Sequence, residues 1–374
     1  MRRRVSAIPR LIACLLAAGL LFGCARPSAP AQPGPSTAPT AQQGTQEPGN
    51  PDSGGQQPGA SEPADELSEA VEPLASLQMQ APAAPPSILL AHLAAQERLT
   101  SQVSEVSFQA FATLDQLRAD MVKGQVQVAA VPTYVAANLY QKGLPVKLLN
   151  VTVWGHLSVL TADPDINGWE DLRGKTVYIP FKGDSPDLIF QIVAREAGLT
   201  EDDMSLAYVS AAPEALQMLM AGKADAAVLP EPVASAAIIQ GKQNGVPVRE
   251  LFELRQEWGR VTGREPVIPQ IGTIAVTELI DEHPEVIAAI QEGLRESVQW
   301  IKANPAEAAA IGEPYLNGLK AQVIESSLGR TPFDFVPAAE AREEIEFFFT
   351  KLAELSPEII GGGLPDDAFY YTGE

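Results

Sequence analysis

The stretch Met121-Val-Lys-Gly124-Gln-Val-Gln-Val-Ala-Ala-Val-Pro132-Thr133-Tyr134-Val135-Ala136 recurs later in the chain as Met220-Ala-Gly222-Lys-Ala-Asp-Ala-Ala-Val-Leu-Pro230-Glu231-Pro232-Val233-Ala234. In both copies a glycine stands eight positions before a proline, and Val-Ala follows at the same offset. Each copy reads as helix, tight turn, strand, helix. Leu114, Leu117 and Met121 mark one apolar helix face, and Leu216, Leu219 and Met220 mark its counterpart. Gly124 and Gly222 sit where a helix closes on a left-handed residue. The runs 126–131 and 226–229 are largely apolar, as in strands covered by helices on both faces. Pro132 and Pro230 stop the strand and a helix starts at once. Such a junction places a helix N-terminus at the carboxyl edge of a sheet, where open α/β sheets bind ligands.

Two copies predict two similar α/β lobes; two α/β units in a single sheet are the alternative. If a pseudo-twofold axis relates the lobes, Thr133-Tyr134 of one faces Glu231-Pro232 of the other. A further unit agrees with two lobes. Trp169 to Pro180 reads as a short helix, a turn at Gly174 and a buried strand, and Phe181-Lys182-Gly183-Asp184-Ser185-Pro186-Asp187 then opens a helix. Ser185 suits an N-cap, Pro186 the first helical position, and Asp187 the positive helix end. Pure capping is the alternative reading of Asp184, Ser185 and Asp187, but Lys182-Gly183-Asp184 exceeds what a cap requires, since Gly183 permits close backbone approach.

Asp171-Leu-Arg-Gly-Lys-Thr-Val177, Gly198-Leu-Thr-Glu-Asp-Asp203 and the run 215–227 together resemble the substrate-binding proteins of bacterial ABC importers. The group is the one that binds nitrate, taurine, alkanesulfonates and thiamine precursors. The resemblance implies an α/β, type 2 periplasmic-binding-protein-like clamshell: two α/β lobes joined by crossing strands. A ligand is held in the cleft, and closure is read by a permease and its ATPase. Lobe one is then 84–161 with 270–374, and lobe two 162–269. Helices at 284–303, 305–311 and 338–355 are expected to cover lobe one. The first strand is expected at 88–92, and the segment 94–103 is shorter than the glycine-containing segment and helix the family often has there.

The N-terminal part reads as an address. Arg2, Arg3 and Arg4 precede an apolar run at 11–22, and Leu21-Phe22-Gly23-Cys24 follows the order of a signal peptide. Those four residues resemble a bacterial lipobox, which implies cleavage after residue 23 and a lipid on Cys24. An ordinary signal peptide is the alternative. Residues 24–83, rich in Pro, Gly, Ser and Gln, are expected to form a disordered leash. Such a coil spans about 40 Å at rest and about 180 Å when extended. The expected location is the extracytoplasmic face of the cell membrane, or the periplasm. A formal charge of −21 argues against nucleic acid, whose phosphates demand Lys/Arg patches. With Cys14 removed and Cys24 lipidated, neither disulfide nor thiol remains, and His92, His156 and His283 show no metal-ligand spacing. No cofactor is implied, and a monomer is expected.

The candidate ligand contacts are Thr133, Tyr134, Trp154, His156, Lys182, Gly183, Asp184, Ser185, Glu231, Trp258 and Gln270. Trp154-Gly155-His156 lies near the first expected crossing, and Trp258 and Gln270 near the second. Trp154 and Trp258 read equally as core residues, His156 as a structural histidine, and His92 as packing. Asp184 and Glu231 beside flat aromatics favour an amine-bearing heteroaromatic ligand such as a vitamin precursor. A sulfonate or nitrate would want basic groups or open helix N-termini. A lipoprotein that senses its ligand for a receptor kinase is an alternative. An enzyme of the same fold is another, against which stands the absence of the cysteine-rich motif that pyrimidine-forming synthases of this fold carry.

Overall fold

A computed structural model describes residues 73–373. The expected signal peptide, Cys24 and the expected leash as far as residue 72 lie outside the described residues.

Regular structure reaches further toward the N-terminus than the composition implies. Strand β1 (Leu74–Pro82) lies within the expected leash. Leu77, Met79 and Ala81 alternate inward and are fully buried, a period-two pattern short enough to be lost among prolines and glutamines. The expected first strand at 88–92 is instead inside helix α1 (Pro86–Ala94), started by Pro86 at its first turn. Its Ile88, Leu89, Leu90 and Leu93 bury together, as neighbouring turns of a helix allow.

In chain order there follow α2 (Glu97–Thr100), β2 (Val103–Phe111), α3 (Leu114–Val122), β3 (Val128–Pro132), α4 (Thr133–Gln141), β4 (Val146–Val153) and β5 (Leu157–Thr161). Next come β6 (Thr176–Pro180), α5 (Ser185–Glu196), β7 (Ser205–Val209), α6 (Ala212–Met220), β8 (Ala226–Pro230), α7 (Val233–Asn244), β9 (Arg249–Glu253) and α8 (Leu254–Thr262). The chain ends with β10 (Ile271–Val276), α9 (Thr277–Glu282), α10 (Pro284–Ala303), α11 (Pro305–Gly312), α12 (Ala321–Arg330), β11 (Phe333–Pro337) and α13 (Ala338–Leu355).

Two sheets result. One has the order β11-β4-β10-β3-β1-β2 and the other β7-β6-β8-β5-β9. Apart from β11 the two are the same design. Each has three parallel strands, β2-β1-β3 and β7-β6-β8, followed by a strand antiparallel to the third. That strand is β10 in lobe one and β5 in lobe two, and each enters from the other lobe. The register makes the equivalence residue by residue: Ile271 faces Pro132 as Leu157 faces Pro230, and Gly272 faces Val131 as Ser158 faces Leu229. The two sequence copies therefore occupy the same place in two lobes.

The first crossing is earlier than expected. It is the segment Trp154-Gly155-His156, so β5, assigned above to lobe one, belongs to lobe two. Gly155 has φ +104°, a left-handed turn that a side chain would strain, and a Cβ there would press on Arg255. The return crossing ends at Gln270, one residue ahead of β10. The two crossings hold each other: His156 N–H donates to Gln270 Oε1 at 3.0 Å, and Gln270 N–H to Val153 O at 3.0 Å.

Both sheets are covered on both faces. Helices α1, α9 and α10 enclose one core of lobe one; α3, α4 and α13 pack on its other face. In lobe two, α6 and α7 cover one face and α5 and α8 the other. The C-terminal helices do more than cover lobe one. Helix α13 also packs on α5, and α12 packs on α7, so both reach lobe two. His92 is a packing residue, its ring stacked on Trp300 at 4.1 Å and its Nδ1 2.9 Å from Ser297 Oγ. No helix among the described residues is long and apolar enough to cross a membrane.

Candidate functional site

Strands β1, β2, β3, β6 and β8 end at one cleft between the lobes, and the helices that follow them begin there. The cleft encloses about 510 Å³, within the range of small-molecule sites. Its wall is mostly apolar. Phe111, Leu114, Ile271 and Leu316 contribute from lobe one, and Phe181 and Val233 from lobe two. Prolines at the strand and helix ends fill much of the remainder. Phe181 and Leu114, 41% and 38% exposed, are large apolar side chains left uncovered among its lining residues. Phe181 and Asn317 are the non-glycine residues with positive φ among the described residues, at 59° and 51°, and both line the cleft. Strained backbone of this kind collects at ligand sites.

Of the eleven residues singled out in the sequence, six line this cavity: Tyr134, His156, Asp184, Ser185, Glu231 and Gln270. Tyr134, on α4 of lobe one, donates its phenol hydrogen to Asp184 Oδ1 of lobe two. This bond crosses the cleft. Burial first, and Asp184 second, push the Tyr134 hydroxyl well above its usual range, so it remains a donor at neutral pH. Asp184 rather than Ser185 caps α5: its Oδ1 accepts from Ser185 N–H at 2.7 Å. The Ser185 hydroxyl, in a residue 3% exposed, has no partner. His156 Nδ1 is likewise buried without a partner. Burial lowers its pKa to about 4, against a smaller opposing hydrogen bond with Gln270, so the ring is neutral at pH 7.

Glu231 lies in the cavity wall, but its charge is engaged elsewhere. Oε1 receives Arg330 Nε at 2.5 Å, and Oε2 accepts from Ser235 N–H at 3.2 Å. Arg330 also donates to Glu250 and to Ser158 Oγ. Burial pushes the Glu231 carboxyl up, against the pull of Arg330. Arg330 ends α12, the helix that the sequence reading passed over. No apolar stripe longer than three turns announces α12, and nothing local shows that its last residue reaches across to lobe two.

The other five residues stand apart from the cavity wall. Thr133 is fully buried and donates Oγ1 to Pro269 O at 2.5 Å. Trp154 is a core residue, with Nε1 donating to Asp334 O at 3.1 Å. Trp258, 1% exposed, packs edge-on against Phe347 and Phe348. Lys182 lies over the Tyr208 ring at 4.7 Å, and Gly183 N–H donates to Asp187 at 2.8 Å. The aromatic wall is thus Phe111, Tyr134 and Phe181, with neither tryptophan. Phe181 was legible in principle, since it follows a strand-ending proline as Thr133 and Glu231 do. Among the described residues no group of three or more His, Cys, Asp or Glu could hold a metal ion.

Residues 105–308 match the family described as NMT1/THI5 like. The chain belongs to that family. No curated protein matches the sequence. Among solved structures, an ABC transporter protein of Parabacteroides distasonis is similar at a TM-score of 0.68 and 23% identity, over 80% of this chain and 99% of that one. The periplasmic aliphatic sulphonate binding protein of Escherichia coli gives 0.64 and 19%, over 79% and 92%. The periplasmic nitrate-binding protein of Synechocystis PCC 6803 gives 0.55 and 13%, over 77% and 84%. At these identities the likeness shows the fold: the type 2 periplasmic-binding architecture that the resemblance implied, with the two lobes that the repeat predicted.

Proposed function

We propose that this member of the NMT1/THI5-like family is the extracytoplasmic solute-binding component of an ABC importer, tethered through a lipid on Cys24. The observation that carries this reading is the cavity of about 510 Å³ enclosed between two lobes at the carboxyl ends of their strands. The Tyr134–Asp184 bond across that cavity supports a closing clamshell, because it forms only when the lobes approach. A ligand that binds the closed form shifts the population toward it, and a permease reads the closed surface. Three of the solved structures that share this fold are described as a transporter, a sulphonate-binding and a nitrate-binding protein, which favours capture over catalysis.

A thermal-shift panel tests the reading. It holds pyrimidine vitamin precursors, thiamine, riboflavin, taurine, alkanesulfonates and nitrate. A ligand at a hundred times its Kd stabilises the fold by about 2.7 kcal/mol. The expected result is a saturable shift with a small organic solute, abolished when Leu114→Trp fills the cleft. A shift that persists in the filled variant contradicts the site. Membrane release of Cys24→Ser checks the tether, and retention contradicts it.

A further inference from the structure

On the solute-binding reading above, we propose that the cleft selects an uncharged ligand with an apolar body, whose polar group is read by Ser185 Oγ and His156 Nδ1. The cavity wall contains no lysine or arginine among the described residues. An anion buried there would lose its hydration without a counter-charge, which costs several kcal/mol. Helix N-termini could replace a cation, but in lobe two the protein fills those places itself. Asp184 takes the first N–H of α5, Asp187 takes Gly183 N–H just ahead of it, and Glu231 takes Ser235 N–H at the start of α7. Glu214, in the first turn of α6, takes the Ser210 hydroxyl at 2.9 Å and its N–H at 3.3 Å. Helices α5 and α7 therefore already hold a carboxylate at their cleft ends, where an anionic ligand would sit.

The same carboxylates are engaged and do not call for a cation. Glu231 is matched by Arg330, and Asp184 receives both Tyr134 and Ser185 N–H. The polar atoms of the wall left without partners are neutral. Ser185 Oγ can donate or accept, and His156 Nδ1, on a ring held neutral by burial, accepts when Nε2 carries the hydrogen. An orphaned buried polar atom is costly, and a ligand hydroxyl, which donates and accepts, suits either of them, while an amide or ring N–H suits His156 Nδ1.

The test uses a matched pair of fluorescent probes with the full chain: N-phenyl-1-naphthylamine, neutral with one N–H, and its sulfonate analogue 8-anilinonaphthalene-1-sulfonate. The expected result is one saturable site for the neutral probe, with a Kd at least roughly tenfold below that of the sulfonate. His156→Leu and, independently, Ser185→Ala each weaken the neutral probe about three- to tenfold, as a lost hydrogen bond would. Ala211→Arg, which sets a cation at the partly exposed rim, strengthens the sulfonate. Equal or tighter binding of the sulfonate by the wild-type chain, still blocked by Leu114→Trp, overturns the uncharged-ligand inference and leaves the cleft reading standing. Binding of neither probe by a folded chain, or binding that ignores Leu114→Trp, overturns both.

Discussion

Thr133 of lobe one and Glu231 of lobe two stand at the same position of two copies of one design, and their backbones behave alike. Thr133 N–H donates to Gln270 O at 3.1 Å, and Glu231 N–H donates to His156 O at 2.9 Å. Gln270 and His156 are themselves equivalent, each one residue ahead of the strand that enters from the other lobe. The side chains differ. Thr133 needs only a neighbouring carbonyl, whereas Glu231 carries a charge into a fully buried place and requires Arg330. That arginine arrives from the C-terminal addition that lobe one has and lobe two lacks. The comparison teaches that the backbone symmetry of the hinge comes from the repeat, while its charge balance depends on a segment outside the repeat.

The largest effect is expected from removing that segment's contribution. Arg330→Met leaves Glu231, with a side chain 1% exposed, unpaired, and should lower the unfolding free energy by about 3 kcal/mol. Urea unfolding measures it, and a loss under 1 kcal/mol would mean the pair behaves as a solvent-screened bridge. The double variant with Glu231→Gln should recover most of the loss.

Next comes Gly272, the lobe-one equivalent of Ser158. A Cβ at Gly272 would fall almost on Asn150 O, on a backbone that cannot yield easily. Gly272→Ala should therefore cost about 2 kcal/mol. Ser158→Ala, which loses the contacts to Glu250 and Arg330, should cost about 1 kcal/mol. Denaturation midpoints of the two variants compare the lobes directly, and equal losses would erase the distinction.

The His156–Gln270 pair breaks the symmetry in a pH-dependent way. His156 has a folded pKa of about 4 against about 6.5 unfolded. Above pH 6.5 both states are neutral and the group adds no pH dependence. As pH falls from 6.5 toward 4, the unfolded state takes up the proton first and stability declines. The slope is at most about 1.4 kcal/mol per unit. His156→Leu should flatten the stability profile in that window alone, and an unchanged profile would show the ring is freely protonated.

The smallest effect concerns the bond from Tyr134 of lobe one to Asp184 of lobe two. Tyr134→Phe removes the hydrogen bond to Asp184 and should cost about 1 kcal/mol. Because that bond exists only with the lobes together, the loss should appear as a larger radius of gyration in X-ray scattering of the ligand-free protein. An unchanged radius would place closure under the control of other contacts.

How much of this was legible depends on whether the signal was local. The repeat carried the two sheets and the position of Pro132 and Pro230 because glycine turns, apolar runs and proline stops act within a few residues. Helix α10 was legible as a long apolar stripe, and the observed bounds of α10 and α13 match the expected ones. Strand β1 was lost because its three inward residues, Leu77, Met79 and Ala81, sit in a polar, proline-rich context. Trp154 and Trp258 were drawn to the cleft by their closeness in sequence to the crossings. Their burial shows that nearness to a hinge does not fix which way a side chain turns.

By itself, then, the sequence determined two α/β lobes of one design, a cleft at their facing strand ends, and Tyr134, Asp184 and Glu231 on its wall. Local periodicity and turn chemistry suffice for that, because they act within single repeats. Only the tertiary structure decided that Asp184 is held by Tyr134 and Glu231 by Arg330. It also decided that Ser185 Oγ and His156 Nδ1, in residues of the cleft wall, are buried without partners. Those pairings join residues 50 and 99 positions apart. Charge compensation in a buried place is set by what the fold brings within hydrogen-bond reach, and no spacing along the chain encodes it.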